Sequence, residues 1–445
     1  MRIAVAQMPG ASLDRWAETL ALLEALVTQA AERGAQLVVL PECAWPAYCL
    51  GSIAEYRAAR NAGLPAPATF LARLQQLARN QHIALCAGFV AEDHDRLYNA
   101  AAFVAANGAL LGMRHKCFLW AFDRNYFSPG TRIEPLDTDF GRIGLMICAD
   151  ARLPEIAATL AARGAELILQ PTAWVNAGAT DALWNPQPDF LIAARATEFG
   201  VPIASASKWG RERDTTFVGS SLICAADGTI RAQCGSAETT VAVAEVTPAP
   251  PRRPVITPAE RSALLSPAPP DPPRGDVRPV TVWPVAHTIN DHAVAAQLDT
   301  RAPVPEHLLV LRDGPSSDPV RGDRYTLLSG PTPAPLDIAG VRIGSVRAPA
   351  AARFAPLRCL ALRGVHAVVV FGADCPRCAL QARACENRIF VVQVTAAHGQ
   401  IIDPHGHVVP ATDAPVTLAA ALAARKTVAP GTDVLAGRCP AQYEF

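Results

Sequence analysis

The stretch GRIGLMICADARLPE, residues 141–155, decides how this chain is read. GRIGLMI is a nearly continuous apolar run, the mark of a strand covered on both faces. The polar ADAR breaks it. Leu153-Pro154-Glu155 then opens IAATLAARG, a helix with proline in its first turn and glycine at its end. Strand, turn and helix in that order predict an α/β layer. They also set Cys148 where a buried strand feeds its loop, which is where open α/β sheets hold ligands. Position alone makes no nucleophile, since unpaired cysteine usually packs as a small hydrophobe.

The same alternation spreads outward from this stretch. RIAVAQM and AQLVVLPE predict strands flanking a glycine-closed amphipathic helix, DRWAETLALLEALVTQAAERG. ATFLARLQQLARNQH predicts a second helix and IALCAGFVA the next strand. YNAAAFVA and ALLGMRH predict a hairpin turning at Asn107-Gly108. AELILQPT, VPIASAS, GSSLICA and TIRAQCG supply later strands, with a hairpin turn at Ala226-Asp227-Gly228. Alternating elements with hairpins inside predict a layered α/β domain with a mixed sheet.

Bulk properties bound the function. A chain of 445 residues, half of them hydrophobic, predicts two domains with full cores. Forty basic residues balance forty acidic ones with no basic run, which argues against nucleic acid or an anionic membrane as partner. MRIAVAQM reads as a strand and not as a signal peptide, and no apolar run is long enough to span a bilayer. Twelve scattered cysteines in so long a chain predict free thiols and a cytoplasmic setting. Cys375-Pro-Arg-Cys378, with Cys385 nearby, lacks the second half of a zinc site, so no metal is expected. Only Lys116, Lys208 and Lys426 are lysines, which hints that each supplies an ammonium that arginine cannot replace.

Residues 248–279 carry eleven prolines, in PAPPRRP and PAPPDPP among others, and predict an extended linker over 248–277. Beyond it the chain repeats itself. Residues 323–364 align without gaps on 123–164, with fourteen of forty-two positions identical, among them Asp123/Asp323, Gly130/Gly330 and Arg142-Ile-Gly/Arg342-Ile-Gly. The match resumes at Ala194-Arg195-Ala196 against Ala382-Arg383-Ala384. Residues 1–247 are therefore expected to form a catalytic domain and 278–445 a shortened copy of it. Ala348 stands at the place of Cys148, so the copy is expected to be non-catalytic.

Three reactive residues share one kind of position in the first domain. Glu42 follows LVVL, Lys116 follows ALLGMRH and Cys148 follows GRIGLMI. Each alone reads as an ordinary loop or core residue; three strand ends that converge would make a site. Their chemistry is coherent. A thiolate attacks a carbonyl or nitrile carbon and forms an acyl intermediate. The carboxylate carries the proton to the leaving amine and then activates water. The ammonium, with the Ala149 N–H, faces the oxyanion. His115, adjacent to Lys116 in its strand, is expected to face the opposite way.

LVVLPE, RHKCFLWAFDRNYFSPG and GRIGLMICADARLPEIAATLAARGAELILQPTAW resemble, in order and spacing, the nitrilase or carbon–nitrogen hydrolase superfamily. The resemblance covers about residues 1–245 and implies an αββα sandwich with a Glu42, Lys116 and Cys148 triad and no cofactor. Many members carry a second glutamate where this chain has Asp123, one methylene shorter. Cys148-Ala-Asp-Ala-Arg-Leu-Pro-Glu155 is similar to the amidase and carbamoylase branch, which implies hydrolysis of a small linear amide or N-carbamoyl compound. Nitrile hydrolysis and a non-catalytic amide sensor are the alternatives. Arg152 is expected to meet a substrate carboxylate, or Asp150 or Glu155. Trp45, Tyr48, Trp120, Trp174 and Trp184 fall in loops near the expected pocket; if several line it, the acyl group is apolar or aromatic. The copy is expected to act as a built-in partner in place of a homodimer, with homo-oligomers as a further state.

Overall fold

The computed structural model describes residues 1–178, 182–269, 271, 279–285, 308–315, 318–321, 325–409 and 415–445. Parts of the proline-rich stretch and Asp323 of the repeat therefore lie outside the described residues. The chain divides into two units. The first comprises 1–254 with 429–432 and 441–445; the second comprises 255–428 with 433–440.

The first unit is built on two sheets. One holds β1 (Arg2–Pro9), β2 (Leu37–Val39), β3 (Ala84–Asp93), β4 (Arg96–Val104), β5 (Leu110–His115), and, from further along the chain, Lys208–Glu212, Thr215–Val218 and Thr240–Glu245. The strands β1, β2 and β3 run parallel, because helices α1 (Trp16–Glu32) and α3 (Pro67–Gln81), with α2 (Ile53–Asn61) between them in sequence, carry the chain across. The hairpins β3–β4 and β4–β5 then extend the edge antiparallel. The second sheet holds β6 (Leu136–Thr138), β7 (Gly141–Leu145), β8 (Leu167–Pro171), β9 (Ile203–Ala206), and Leu222–Cys224 and Ile230–Gln233. In it β7, β8 and β9 are parallel, crossed by α4 (Pro154–Ala162) and α5 (Ile192–Phe199).

The sheets pack face to face, α1 and α3 lie against the first and α5 against the second. This is the αββα sandwich that the strand order implies. The runs over residues 37–40 and 143–147 are buried end to end because both faces of their sheets are covered. Helix α4 starts on Pro154 and stops at Gly164, whose φ of +83° is the left-handed turn that ends it.

The second unit holds a sheet of Val280–Val285, Leu308–Arg312, Val320–Arg321, Tyr325–Ser329 and Val416–Leu418. Its other sheet repeats the β6–β8 part of the second sheet of the first unit at a shift of 200 residues, which shortens to 188 at Arg195 and Arg383. Leu136 pairs with Ile143 and Leu336 with Ile343; Ile143 pairs with Leu167 and Ile343 with Ala367. Arg195 Nε donates to Ala151 O at 3.2 Å, and Arg383 Nε donates to Ala351 O at 3.2 Å. The proline-rich stretch is not wholly extended. Pro258–Leu265 is a helix, nucleated by a capping box between Thr257 and Glu260 and by proline in its first turn.

Candidate active site

Three loops leave the carboxyl ends of β2, β5 and β7 and meet between the sheets. The first carries Glu42. It runs so close over β3 that a Cβ on Gly88 would lie 2.3 Å from Pro41 O and 2.7 Å from Glu42 Cα. Only glycine fits there. Glu42 is fully buried, and its Oε1 accepts from Asn99 Nδ2 and Lys116 Nζ, both at 2.7 Å. Its Oε2 is buried without a hydrogen-bond partner among the described residues.

Lys116 continues β5, its N–H donating to Asn99 O and its carbonyl accepting from Gly130 N. A Cβ on Gly130 would lie 2.3 Å from His115 O, so this turn also needs glycine. The Lys116 ammonium is fully buried and lies 2.7 Å from Glu42 Oε1 and 2.7 Å from Asp123 Oδ2. It also donates to Tyr48 Oη at 3.2 Å. His115 faces the other way, half-buried and stacked on Tyr98 with ring centroids 4.1 Å apart. The shorter Asp123 reaches the ammonium because its loop coils tightly over Ala121–Asn125, where Asp123 Oδ2 also accepts the Trp120 N–H at 2.8 Å.

Cys148 begins a short 3₁₀ turn, Cys148–Arg152, with its own φ at +43°. Cys43 beside Glu42 (φ +38°) and Ala121 (φ +27°) share this left-handed conformation. Non-glycine residues held there store strain, which clusters at functional loops. Asp150 locks the Cys148 turn to the Lys116 loop: its carboxylate accepts from the N–H groups of Ile147, Cys117 and Phe118. Sequence reasoning saw Asp150 only as a partner for Arg152; its role as a brace had no signal in the sequence.

The charges act on one another. Burial raises Glu42 above the ordinary carboxylate range, and Lys116 opposes the shift. Burial works against the Lys116 ammonium, yet Asp123 and Glu42 outweigh it and hold Lys116 well above its usual value. The Cys148 thiol is pushed up to about 12, by burial first and by Glu42 second, with Lys116 acting the other way. At neutral pH Cys148 therefore rests as a thiol beside the Glu42–Lys116 pair.

A small pocket, with a cavity volume of about 10 Å³, opens at Cys148, lined by Trp120, Ala149, Arg152, Val175, Asn185 and Gln187. Of the five aromatic residues expected near it, only Trp120 lines this pocket. Trp45 stacks on Phe70 in the core, and Trp174 is fully buried. Tyr48 is fully buried and bonded to Lys116, and the Trp184 indole donates to Asp189. An aromatic cage is thus absent from the described lining. Arg152 is 5% exposed, and its guanidinium lies 4.7 Å from the Trp120 ring centroid. It has no carboxylate partner among the described residues, since Asp150 is spent on backbone N–H groups.

The first unit matches known proteins in sequence. Residues 2–250 match the family model described as carbon-nitrogen hydrolase. A nitrilase from Pyrococcus abyssi is 33% identical over 225 residues, which cover 50% of this chain and 81% of that protein. Omega-amidase NIT2 from Xenopus tropicalis is 32% identical over 228 residues, covering 48% and 78%. A solved structure of an amidase from Nesterenkonia sp. AN1 is 29% identical, with a TM-score of 0.47, covering 55% of this chain and 92% of that one. With a family match over more than half its length, on the unit that brings the three strand ends together, the chain belongs to the carbon–nitrogen hydrolase (nitrilase) superfamily.

Proposed function

We propose that the chain hydrolyses the C–N bond of a small linear amide or N-carbamoyl compound through an acyl thioester on Cys148. The observation that carries this reading is the fully buried Lys116 ammonium, 2.7 Å from both Glu42 and Asp123, on the loop that Asp150 ties to Cys148. Glu42 takes the Sγ proton through its free Oε2 as sulfur bonds to the carbonyl carbon. The carbonyl electrons move onto oxygen, which faces the Lys116 ammonium and the Ala149 N–H. Collapse of the tetrahedral intermediate breaks the C–N bond, and Glu42 passes its proton to the departing ammonia or amine. Glu42 then takes a proton from water, whose oxygen attacks the thioester; the acid leaves and the proton returns to Sγ. Every charge that develops is met by a group already in place, so little reorganisation is needed.

The small pocket at Cys148 favours a short acyl group, and Arg152, without a carboxylate partner among the described residues, favours one ending in a carboxylate. A relative named omega-amidase supports amides as the substrate class. The second unit, with Ala348 at the place of Cys148, is read as a shortened copy without chemistry of its own.

The test is ammonia release from amides, N-carbamoyl compounds and nitriles, with intact mass on quenched samples, for wild type and Cys148→Ala. Turnover and an acyl-sized adduct, both lost in the variant, are expected. Turnover confined to nitriles would move the reading to a nitrilase. Binding without turnover or adduct would make the protein an amide sensor.

A further inference from the structure

A chain of buried side chains runs beneath Cys148 that the proposed chemistry does not use. Gln170 lies one residue before the end of β8 and pairs in register with Ser205 on the neighbouring β9. Both are fully buried. Gln170 Nε2 donates to Cys148 O and to Gln187 Oε1, each at 3.0 Å, and Gln170 Oε1 accepts from Ser205 Oγ at 2.7 Å.

The polarity of this chain is fixed by its first member. A backbone carbonyl only accepts, so Gln170 must turn its NH₂ toward Cys148. Its carbonyl oxygen then faces Ser205, which donates. The second hydrogen of the same NH₂ needs an acceptor, so Gln187 must present Oε1 to it. The Gln187 amide cannot flip without setting NH₂ against NH₂. Gln187 is 2% exposed and lines the pocket at Cys148. Its Nε2 finds no protein acceptor among the described residues, while its own N–H is taken by Asn185 Oδ1 at 2.9 Å. Asn185 is itself engaged, donating through Nδ2 to Val175 O at 2.7 Å.

We infer that Gln187 is a specificity-determining residue, which offers the pocket a fixed N–H donor and selects substrates whose acyl group carries a hydrogen-bond acceptor. An acyl chain with only CH₂ groups leaves this buried donor unpaired, and sites built to hydrogen-bond a substrate reject analogues that lack the partner. Gln170 and Ser205 are positioning residues, acting through the orientation of Gln187. The inference rests on the reading of this pocket as the acyl site beside Cys148.

The test uses a matched neutral pair, 3-methoxypropionamide and pentanamide, which differ by an ether oxygen in place of a CH₂. Affinity is measured by calorimetry on full-length Cys148→Ala, and kcat/KM on the protein with Cys148 intact. A preference of about ten-fold or more for the ether is expected in both readouts. It should fall toward one in Gln187→Met. It should also fall in Gln170→Met, which leaves Gln187 in place but frees its amide to flip; a merely structural Gln170 would lower both substrates alike. An unchanged ratio in Gln187→Met, with turnover intact, overturns the inference and leaves the hydrolase reading standing. A binding preference lost in Gln187→Met without turnover of either amide supports the inference and sinks the hydrolase reading. Binding of neither amide overturns it.

Discussion

Glu42 and Lys116 form an ion pair of 2.7 Å in which both side chains are fully buried. Such a pair is poor evidence for stability, because desolvating two ions can cost more than their attraction returns. Breaking it from one side is different, since a charge is then stranded. Lys116→Met leaves Glu42 and Asp123 buried without their cation, and a loss of about 3–5 kcal/mol of stability is expected. Glu42→Gln keeps the shape and the Asn99 contact but removes the proposed base, so turnover should fall by about 10²–10⁴ with a much smaller change in denaturation midpoint. Equal losses of stability in the two variants would place Glu42 in the scaffold and not in the chemistry.

Asp123 meets the same ammonium at 2.7 Å and is fully buried. The shorter carboxylate is therefore fitted to its loop, and lengthening it should not help. Asp123→Glu must find room for a methylene in a packed site, and about 1–3 kcal/mol of destabilisation with slower turnover is expected. Asp123→Asn keeps the volume and loses the charge, which should lower activity through Lys116 with the pocket unaltered. Faster turnover in Asp123→Glu would show that the aspartate is a defect and not a fit.

How far the sequence spoke depended on what kind of signal each residue leaves. Glu42, Lys116 and Cys148 were legible as candidates because each follows a strand signal, and strand ends at one edge converge. The hint in the lysines also had substance: Lys116, Lys208 and Lys426 are all buried, Lys208 pairing with Glu212 and Lys426 donating to the carbonyl of Arg388. Glu212 in turn accepts the N–H groups of Tyr48 and Cys49, steadying the Glu42 loop. That contact, like the Ser205–Gln170–Gln187 chain, joins residues with no periodic or compositional mark. The loop aromatics divide for a related reason. A tryptophan in a loop can turn to the core or to the cleft, and only packing decides; Trp45 and Trp174 went to the core.

The first unit includes residues from the far end of the chain, and one of them touches the Asp123 loop. The Ala121 N–H donates to the hydroxyl of fully buried Thr432 at 2.6 Å. Ala121 holds a left-handed φ between Trp120, which lines the pocket, and the turn that carries Asp123. Thr432→Val keeps the shape and strands that N–H, so about 1–3 kcal/mol should be lost, with a lower kcat. Thr432→Ser should restore both. Thermal midpoints and steady-state kinetics on the three proteins check this. A Val variant as active as wild type would show that the loop holds its course without Thr432.

The buried thiols set a limit on alkaline stability, and the sign follows from burial. Cys148 and Cys49 are each pushed up to about 12, in both cases by burial first. Unfolded cysteine titrates near 8.5. Above about pH 8.5 the unfolded chain releases protons that the folded protein retains, so the folded state binds more and stability falls as pH rises. The loss continues until about pH 12, at about 1.4 kcal/mol per pH unit for each such thiol once past the lower value. Lys116, held above its ordinary value by Asp123 and Glu42, stays protonated in both states below about pH 10 and adds nothing in that range. Thermal midpoints measured from pH 7 to 10 should be flat at first and then decline. Cys148→Ala, with one thiol fewer, should decline less steeply. Parallel curves for the two proteins would mean that Cys148 ionises as readily in the folded site as in the open chain, and would overturn this expectation.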